Sequence, residues 1–308
     1  MDKAVLLITW KRAREVTRLI ASLRDVKPTR VYIASDGPAN DAESMRRVSQ
    51  TRSIMEAEID WPCEVFRLYS QVNMGCGRGV VKAIDWFFQH ECEGLILEED
   101  CIPDASFYRF CCQMLDRFRN EESIWSISGS CFVDGTDGHC DYYFSQYTHI
   151  WGWATWRSAW QMYEADIKSW DNREVRKTVL NNISRRNSVK RYWKRVFNGV
   201  RYLNEPDTWD YQWQYTLARN KGLTVIPRIN LVDNIGFSDD ATHTKERIVD
   251  TDAKTLPEKI SDNLSIGIVE DVDDEIYRVC HKRARGWRVL AGELNKEIRI
   301  LSRRLAMR

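Results

Sequence analysis

The chain has 308 residues, 43% of them hydrophobic and 30% charged, with a formal net charge of +1. That supplies apolar material for one large core and excludes wholesale disorder. A near-neutral balance gives no global field to recruit a polynucleotide, so no nucleic-acid partner is expected, and the basic residues read as dispersed except near the C-terminus.

The nine cysteines include the adjacent pair Cys111-Cys112 but show neither C-x-x-C spacing nor a Cys/His cluster. They read as reduced, mostly buried thiols of a cytoplasmic protein. In the N-terminal MDKAVLLITWKRAR the apolar run precedes the basic residues and falls far below the ~20 residues that span a bilayer. Neither a secretion signal nor a membrane span is expected.

In chain order, short apolar or β-branched runs predict strands near Ala4–Thr9, Arg30–Ser35, Glu64–Tyr69, Gly94–Glu98 and Trp125–Gly129. Helices are predicted near Arg14–Leu23, Ala42–Ala57, Gly79–His90 and Ala105–Phe118. This alternation predicts an α/β fold, an open and mostly parallel sheet with crossover helices. After Gly135 come an aromatic-rich stretch, Tyr142 to Trp170, polar helical sequence through Arg201 and a short apolar run, Leu223–Ile226. Phe237–Lys259, rich in Asp, Thr and Lys, reads as a mobile loop. Residues 275–308 hold ten Lys or Arg against three Glu, and Val289, Leu290, Leu294, Ile298, Leu301 and Leu305 recur at helical spacing, which predicts a basic amphipathic helix. The expected division is residues 1–272 as one catalytic unit, with 1–135 its donor-nucleotide half and 136–272 its acceptor half and closing loop, followed by the helix at 273–308.

The strongest chemical signal is Leu95-Ile96-Leu97-Glu98-Glu99-Asp100, a buried strand running into three consecutive acids. Ligands of open α/β sheets bind at the carboxyl ends of the strands. Carboxylates crowded there repel one another unless a cation intervenes, and Mg²⁺ or Mn²⁺ favours such oxygen ligands. The plainer alternative is solvated strand-end acids with Asp100 or Asp104 capping the next helix.

These residues, continued as Cys101-Ile102-Pro103-Asp104, resemble the strand, acidic metal motif and following helix of GT-A glycosyltransferases. The likeness is to the N-acetylglucosaminyltransferase I family and its bacterial relatives, and it extends more weakly from Val5 to about Thr244. It implies a GT-A fold, Rossmann-like, with a nucleotide-sugar donor, a UDP-sugar favoured, and Mn²⁺ or Mg²⁺ as cofactor. Asp36, in Ser35-Asp36-Gly37-Pro38, falls where such enzymes place a donor-contacting Asp, although Asp36-Gly37 alone would be a plain turn. Asn73-Met74-Gly75 resembles the turn that opens the donor-side helix, with Arg78 and Lys82 positioned for phosphate. Thr9, Arg12, Glu98 and Glu99 complete the expected donor set; Asp100, Glu99 and His243 are the expected metal ligands.

Glu205 to Trp213 resembles the family's Trp-Asp-rich segment, which implies Asp210 as general base with Asp207 second. Tyr211 stands where a second Asp would be expected, and Asp210 alternatively caps the following helix. Trp151, Trp153 and Trp209 are expected to stack on an acceptor sugar, core packing being the alternative. The expected activity is metal-dependent transfer of a sugar to a glycan or lipid-linked glycan, with inversion implied by the resemblance, in cell-surface polysaccharide or glycolipid assembly. Peripheral contact with an anionic inner membrane face through the C-terminal helix is a further expectation. A dinucleotide loop at Gly75-Cys76-Gly77-Arg78-Gly79 is disfavoured because that fingerprint follows a first strand and these glycines follow a third. Two rivals remain: a sugar-phosphate nucleotidyltransferase, for which a Gly-rich, Arg-bearing loop would follow the first strand, whereas Thr9-Trp10-Lys11-Arg12 has no Gly, and a catalytically inactive glycan-binding protein.

Overall fold

The structure, a computed structural model, describes residues 2–133, 140–205, 207–237, 252–261 and 265–281, and the single positions 296, 299, 300 and 303. Its strands are β1 (Val5–Thr9), β2 (Arg30–Ser35), β3 (Glu64–Tyr69), β4 (Glu93–Glu98), β5 (Cys101–Pro103), β6 (Ile124–Ser128), β7 (Tyr142–Ser145), β8 (Trp153–Trp156), β9 (Leu223–Pro227) and β10 (Val232–Asn234). Its α-helices are α1 (Ala13–Leu23), α2 (Ala42–Glu58), α3 (Gly75–His90), α4 (Ala105–Arg117), α5 (Arg157–Trp160), α6 (Arg173–Ile183), α7 (Asn187–Leu203), α8 (Asp210–Asn220) and α9 (Glu270–Ile276).

The eight-stranded main sheet runs β3-β2-β1-β4-β8-β6-β9-β7. Strands β3, β2, β1 and β4 are parallel, with Leu7 between Ile33 and Leu97. Strand β8 enters antiparallel between β4 and β6, and β7 closes the far edge antiparallel to β9. The expected α/β fold is therefore present as a mostly parallel sheet flanked by helices, Rossmann-like in form. Strand β5 leaves the main sheet directly after the acids and pairs antiparallel with β10.

Strands covered on both faces need apolar side chains pointing both ways. Along β1, Val5 and Leu7 pack with Val16, Leu19 and Ile20 of α1 and Phe107 and Phe110 of α4, whereas Ala4 and Leu6 face Val80, Ile84 and Phe87 of α3. A third cluster joins α6, α7 and α8 through Val179, Ile183, Trp193, Phe197 and Tyr215. Asp104 caps α4, its carboxylate accepting from the Ser106 amide at 2.8 Å, as the plainer sequence alternative anticipated. Sequence reading starts α3 at Gly79, but the helix begins at Gly75 because the glycines form its first turn. The division expected at residue 272 falls inside α9, whose Asp273 and Ile276 are buried. None of the nine cysteines is in a disulfide, and Cys101, Cys111, Cys112 and Cys131 are buried. No helix among the described residues is long and apolar enough to cross a membrane.

Trp153 and Trp209, expected to stack on an acceptor sugar, are each 1% exposed. They stack on one another at 5.4 Å between ring centroids, with Trp213 at 5.7 Å from Trp153 and Trp160 at 5.4 Å from Trp213. Neither ring faces an acceptor: β8 lies in the middle of the sheet, so Trp153 is directed into the core, and Trp209, just before α8, is buried against it. Trp153→Ala or Trp209→Ala should cost about 3–5 kcal/mol of stability in urea unfolding. A loss below about 1 kcal/mol would mark the rings as surface groups instead.

Candidate active site

The chemistry-bearing residues gather at the carboxyl ends of β1, β2 and β4 and the first turns of α3 and α8. Asp36, just past β2, is anchored by its amide to the Thr9 carbonyl at 2.9 Å. Its carboxylate accepts from the amides of Gly37 at 2.8 Å, Met74 at 3.0 Å and Gly75 at 3.1 Å, and from Asn73 Nδ2 at 3.1 Å. Asp36 thus satisfies amides at the start of α3 that would otherwise be orphaned, and it binds the β3–α3 loop to β2. Gly75 has φ +79, a conformation open to glycine at no steric cost.

Arg52 of α2, which the sequence did not flag, clamps the same end of the sheet. Its Nη2 donates to the carbonyls of Ser35, Asp36 and Ser70, and its guanidinium lies over the Tyr69 ring at 4.8 Å. A basic residue in mid-helix offers no local signal of such a role.

The three acids divide the work. Glu99 is 7% exposed, and its Oε2 accepts from the Trp10 amide at 2.7 Å while Arg12 Nε lies 3.7 Å from Oε1. Asp100 Oδ2 accepts from Arg12 Nη1 at 2.6 Å. The β1–α1 loop is therefore fastened across the end of β4 by two carboxylates. Trp10 also donates from its indole to the Gly37 carbonyl at 3.0 Å, joining this loop to the one after β2. Glu99 and Asp100, both expected as metal ligands, are thus each engaged by a protein donor.

Among the described residues Glu98 has no such partner. Burial first, then the charges of Asp100, Asp210 and Glu99, push its carboxyl up to about 8, with Arg12 opposing. Burial likewise raises Glu99 to about 7 against the Trp10 amide and Arg12. The Cys76 thiol, in the first turn of α3, is pushed far up by burial and by Glu98, Asp210, Asp207 and Asp100 together. Four acids from two chain segments therefore lie within charge range of one helical turn.

Asp207 lies over the α3 glycines, its Oδ1 2.5 Å from where a Cβ on Gly77 would stand. Asp210 opens α8 and accepts from the Thr208 hydroxyl. Trp209 occupies the cap position of that helix and Asp210 is the acid of its first turn. The β10 segment closes over Asp100: the Ile235 amide donates to the Asp100 carbonyl at 2.9 Å, and a Cβ on Gly236 would lie 2.1 Å from Asp100 Oδ2. Beyond it Phe237 meets the half-buried Trp151 edge-on at 5.7 Å, and Trp151 meets Phe132 at 5.0 Å. Of the three tryptophans expected at an acceptor site, Trp151 alone retains surface.

Thr9 ends β1 almost fully buried, its Oγ1 without a hydrogen-bond partner. Arg78 and Lys82 are exposed on α3, Lys82 Nζ reaching back to Met74 Sδ at 3.7 Å. His243 lies outside the described residues, as does most of the loop expected over Phe237–Lys259. Among the described residues no three His, Cys, Asp or Glu side chains form a ready-made metal cluster. Hard oxygen donors are nevertheless present in Glu98 and Asp100, and Mg²⁺ is commonly held by one or two carboxylates completed by substrate phosphates.

No protein-family profile matches the sequence, and no curated protein is recognisably similar to it. Among solved structures, HddC from Yersinia pseudotuberculosis complexed with GMP-PN is similar at a TM-score of 0.32 and 12% identity, over 51% of this chain and 77% of that one. A 4-diphosphocytidyl-2C-methyl-D-erythritolsynthase from Anaerococcus prevotii is similar at 0.29 and 9%, over 56% and 78%. The functional reading consequently rests on the chain's own residues.

The raised Glu98 carboxyl has a pH consequence. Between the ordinary carboxylate value of 4.5 and about 8, the folded chain keeps a proton that the unfolded chain releases. Stability therefore falls as pH rises through that window, and the penalty is complete above it. In metal-free buffer Glu98→Gln should flatten the decline of melting temperature with rising pH; an unchanged pH profile would remove Glu98 as its source.

Proposed function

We propose that the chain is a transferase acting on a nucleoside-diphosphate sugar, and that it moves the sugar to a hydroxyl of a glycan or lipid-linked glycan. The observation that carries this reading is the placement of Glu98 and Asp100 at the carboxyl end of β4, with Asp207 lying 2.5 Å from where a Cβ on Gly77 of α3 would stand and Asp210 opening α8. So concentrated a negative charge calls for a cation, and a diphosphate calls for the same cation.

Asp100 leads the candidate ligands, with Glu98 beside it and His243 as the expected late addition. Bound Mn²⁺ or Mg²⁺ would offset the charge developing on a diphosphate leaving group. Arg12 keeps Asp100 and Glu99 fixed at the end of β4, so the loop after β1 would be ordered before donor arrives. Arg78 and Lys82, exposed on the donor-side helix, are placed for phosphate oxygens. Asp210, oriented by Thr208, would take the proton from the attacking hydroxyl, since a positioned carboxylate within hydrogen-bond reach suffices for that step. Asp207 is the second candidate. Trp151, with Phe132 and Phe237, offers a flat apolar wall for the acceptor sugar. A UDP-sugar donor, inversion at the anomeric carbon, a role in surface polysaccharide or glycolipid assembly and a cytoplasmic site of action follow from the family resemblance.

One observation favours a second reading. Arg12 stands in the loop directly after β1, where nucleotidyl transfer between a nucleoside triphosphate and a sugar phosphate would place a cation. That loop has no glycine, and Arg12 is already spent on Asp100 and Glu99.

Incubation with UDP-, GDP- and CMP-sugars and a mixed glycan acceptor, with Mn²⁺, should release nucleotide. Asp210→Asn should lower that release by about 10²-fold or more and leave melting temperature nearly unchanged. Pyrophosphate release from nucleoside triphosphate and sugar 1-phosphate, without nucleotide release from any nucleotide sugar, would establish the second reading.

A further inference from the structure

Basic residues read as dispersed ahead of the C-terminal segment, but the α6–α7 hairpin is a marked exception. Residues 173–201 hold ten Lys or Arg and one acid, Glu174, in a chain of net charge +1, so the remainder of the molecule is net acidic. On α7, Val189, Trp193, Phe197 and Val200 are buried. Lys190, Arg191, Lys194 and Arg195 recur at i, i+1, i+4 and i+5 and so share the opposite face. Arg173 and Lys177, one turn apart, do the same for α6. Arg173, Lys177, Arg191 and Lys194 are exposed and have no carboxylate partner among the described residues.

At the turn of the hairpin Arg185 pairs with Glu270 at 3.1 Å and Arg186 pairs with Asp274. Immediately before Glu270 lie Ile266, Ile268 and Val269, exposed by 40%, 40% and 39%. Gly267 between them has nothing within 4 Å of the space a side chain would fill. The acids of α9 do not cancel the basic face: Glu275 is paired with Arg278 at 2.5 Å, and buried Asp273 accepts from the Ser145 hydroxyl and the Gln146 amide. With Glu270 and Asp274 paired to the hairpin itself, Asp271 is what remains.

We propose that the α6–α7 hairpin, together with the Ile266–Val269 strip, docks on an anionic bilayer surface. Lysines and arginines meet the headgroups while the adjoining aliphatic side chains enter the acyl boundary. A nucleic acid would use the charges and leave the aliphatic residues in water. Docking here adjoins the candidate site: Trp193 of α7 packs edge-on against Tyr211 at 6.1 Å, and Asp210 lies within charge range of Tyr192. The inference stands on charge and exposure and does not require the reaction proposed above.

The test is sedimentation of the full chain with vesicles of phosphatidylcholine alone or mixed equally with phosphatidylglycerol, at low and high salt. Binding should appear with the anionic vesicles only and weaken with salt. Changing Arg173, Lys177, Arg191 and Lys194 together to Gln should reduce partitioning at least tenfold, at about fivefold per residue for charges near the surface. Ile266→Ser with Val269→Ser should remove the binding that survives high salt. Circular dichroism melts matching wild type establish that both variants fold. Equal binding to neutral vesicles, undiminished binding of the quadruple variant, or capture of duplex DNA in preference to vesicles would each overturn the proposal.

Discussion

The structure turns on carboxylates held at the carboxyl end of β4, partly buried and close to one another. Such an arrangement is costly unless each acid finds a donor or a counter-charge. Two of them find one within the protein: Glu99 in the Trp10 amide and Asp100 in Arg12. Glu98 does not, and its raised carboxyl records the deficit. Much of the surrounding architecture follows from keeping these groups in place. The β1–α1 loop is fastened across them, β10 returns from the far half of the chain to cover Asp100, and Gly236 is needed because any side chain there would collide with the carboxylate.

The second half of the chain contributes mainly by holding Asp210 against that end of the sheet. Trp153, Trp160, Trp209 and Trp213 form a packed block between β8, α5 and α8, and Trp160 donates to Asp85 of α3 at 2.8 Å. The tryptophans thus fix the start of α8 relative to the start of α3, which is the distance that sets how near Asp210 stands to Glu98. Aromatic richness in this stretch reflects packing of the scaffold behind the site, and Trp151 is half-buried.

The parallel half of the sheet was legible because period and punctuation agree there. Runs such as Val31–Ala34 and Leu95–Leu97 are continuously apolar, as strands buried on both faces require, and their boundaries fall within a few residues of the structure. Strands β5, β7, β8 and β10 were not legible. They are three or four residues long, and Trp153–Trp156 or Tyr142–Ser145 carry aromatic residues that suit a buried helix as well as a strand. Asp36, Asn73, Glu98 and Asp210 were each singled out through motif likeness, but the bond from Asn73 to Asp36 was not legible, because sequence separation hides contacts made by crossover. The clamp by Arg52 and the Trp10 amide left no trace, since a backbone donor has no letter of its own. Which of Trp151, Trp153 and Trp209 would be buried was not legible, because an aromatic cluster reads identically whether it faces solvent or the core.

Glu98 and Asp100 are proposed to hold a cation together with a nucleoside diphosphate. Paramagnetic resonance of free Mn²⁺, titrated with the protein in the presence and absence of UDP, GDP and CDP, tests it most directly. One of these nucleotides and the protein together should deplete the free Mn²⁺ signal beyond the sum of their separate effects, and Asp100→Asn should abolish the excess. A free Mn²⁺ signal that the protein leaves unchanged with every nucleotide would contradict the proposal.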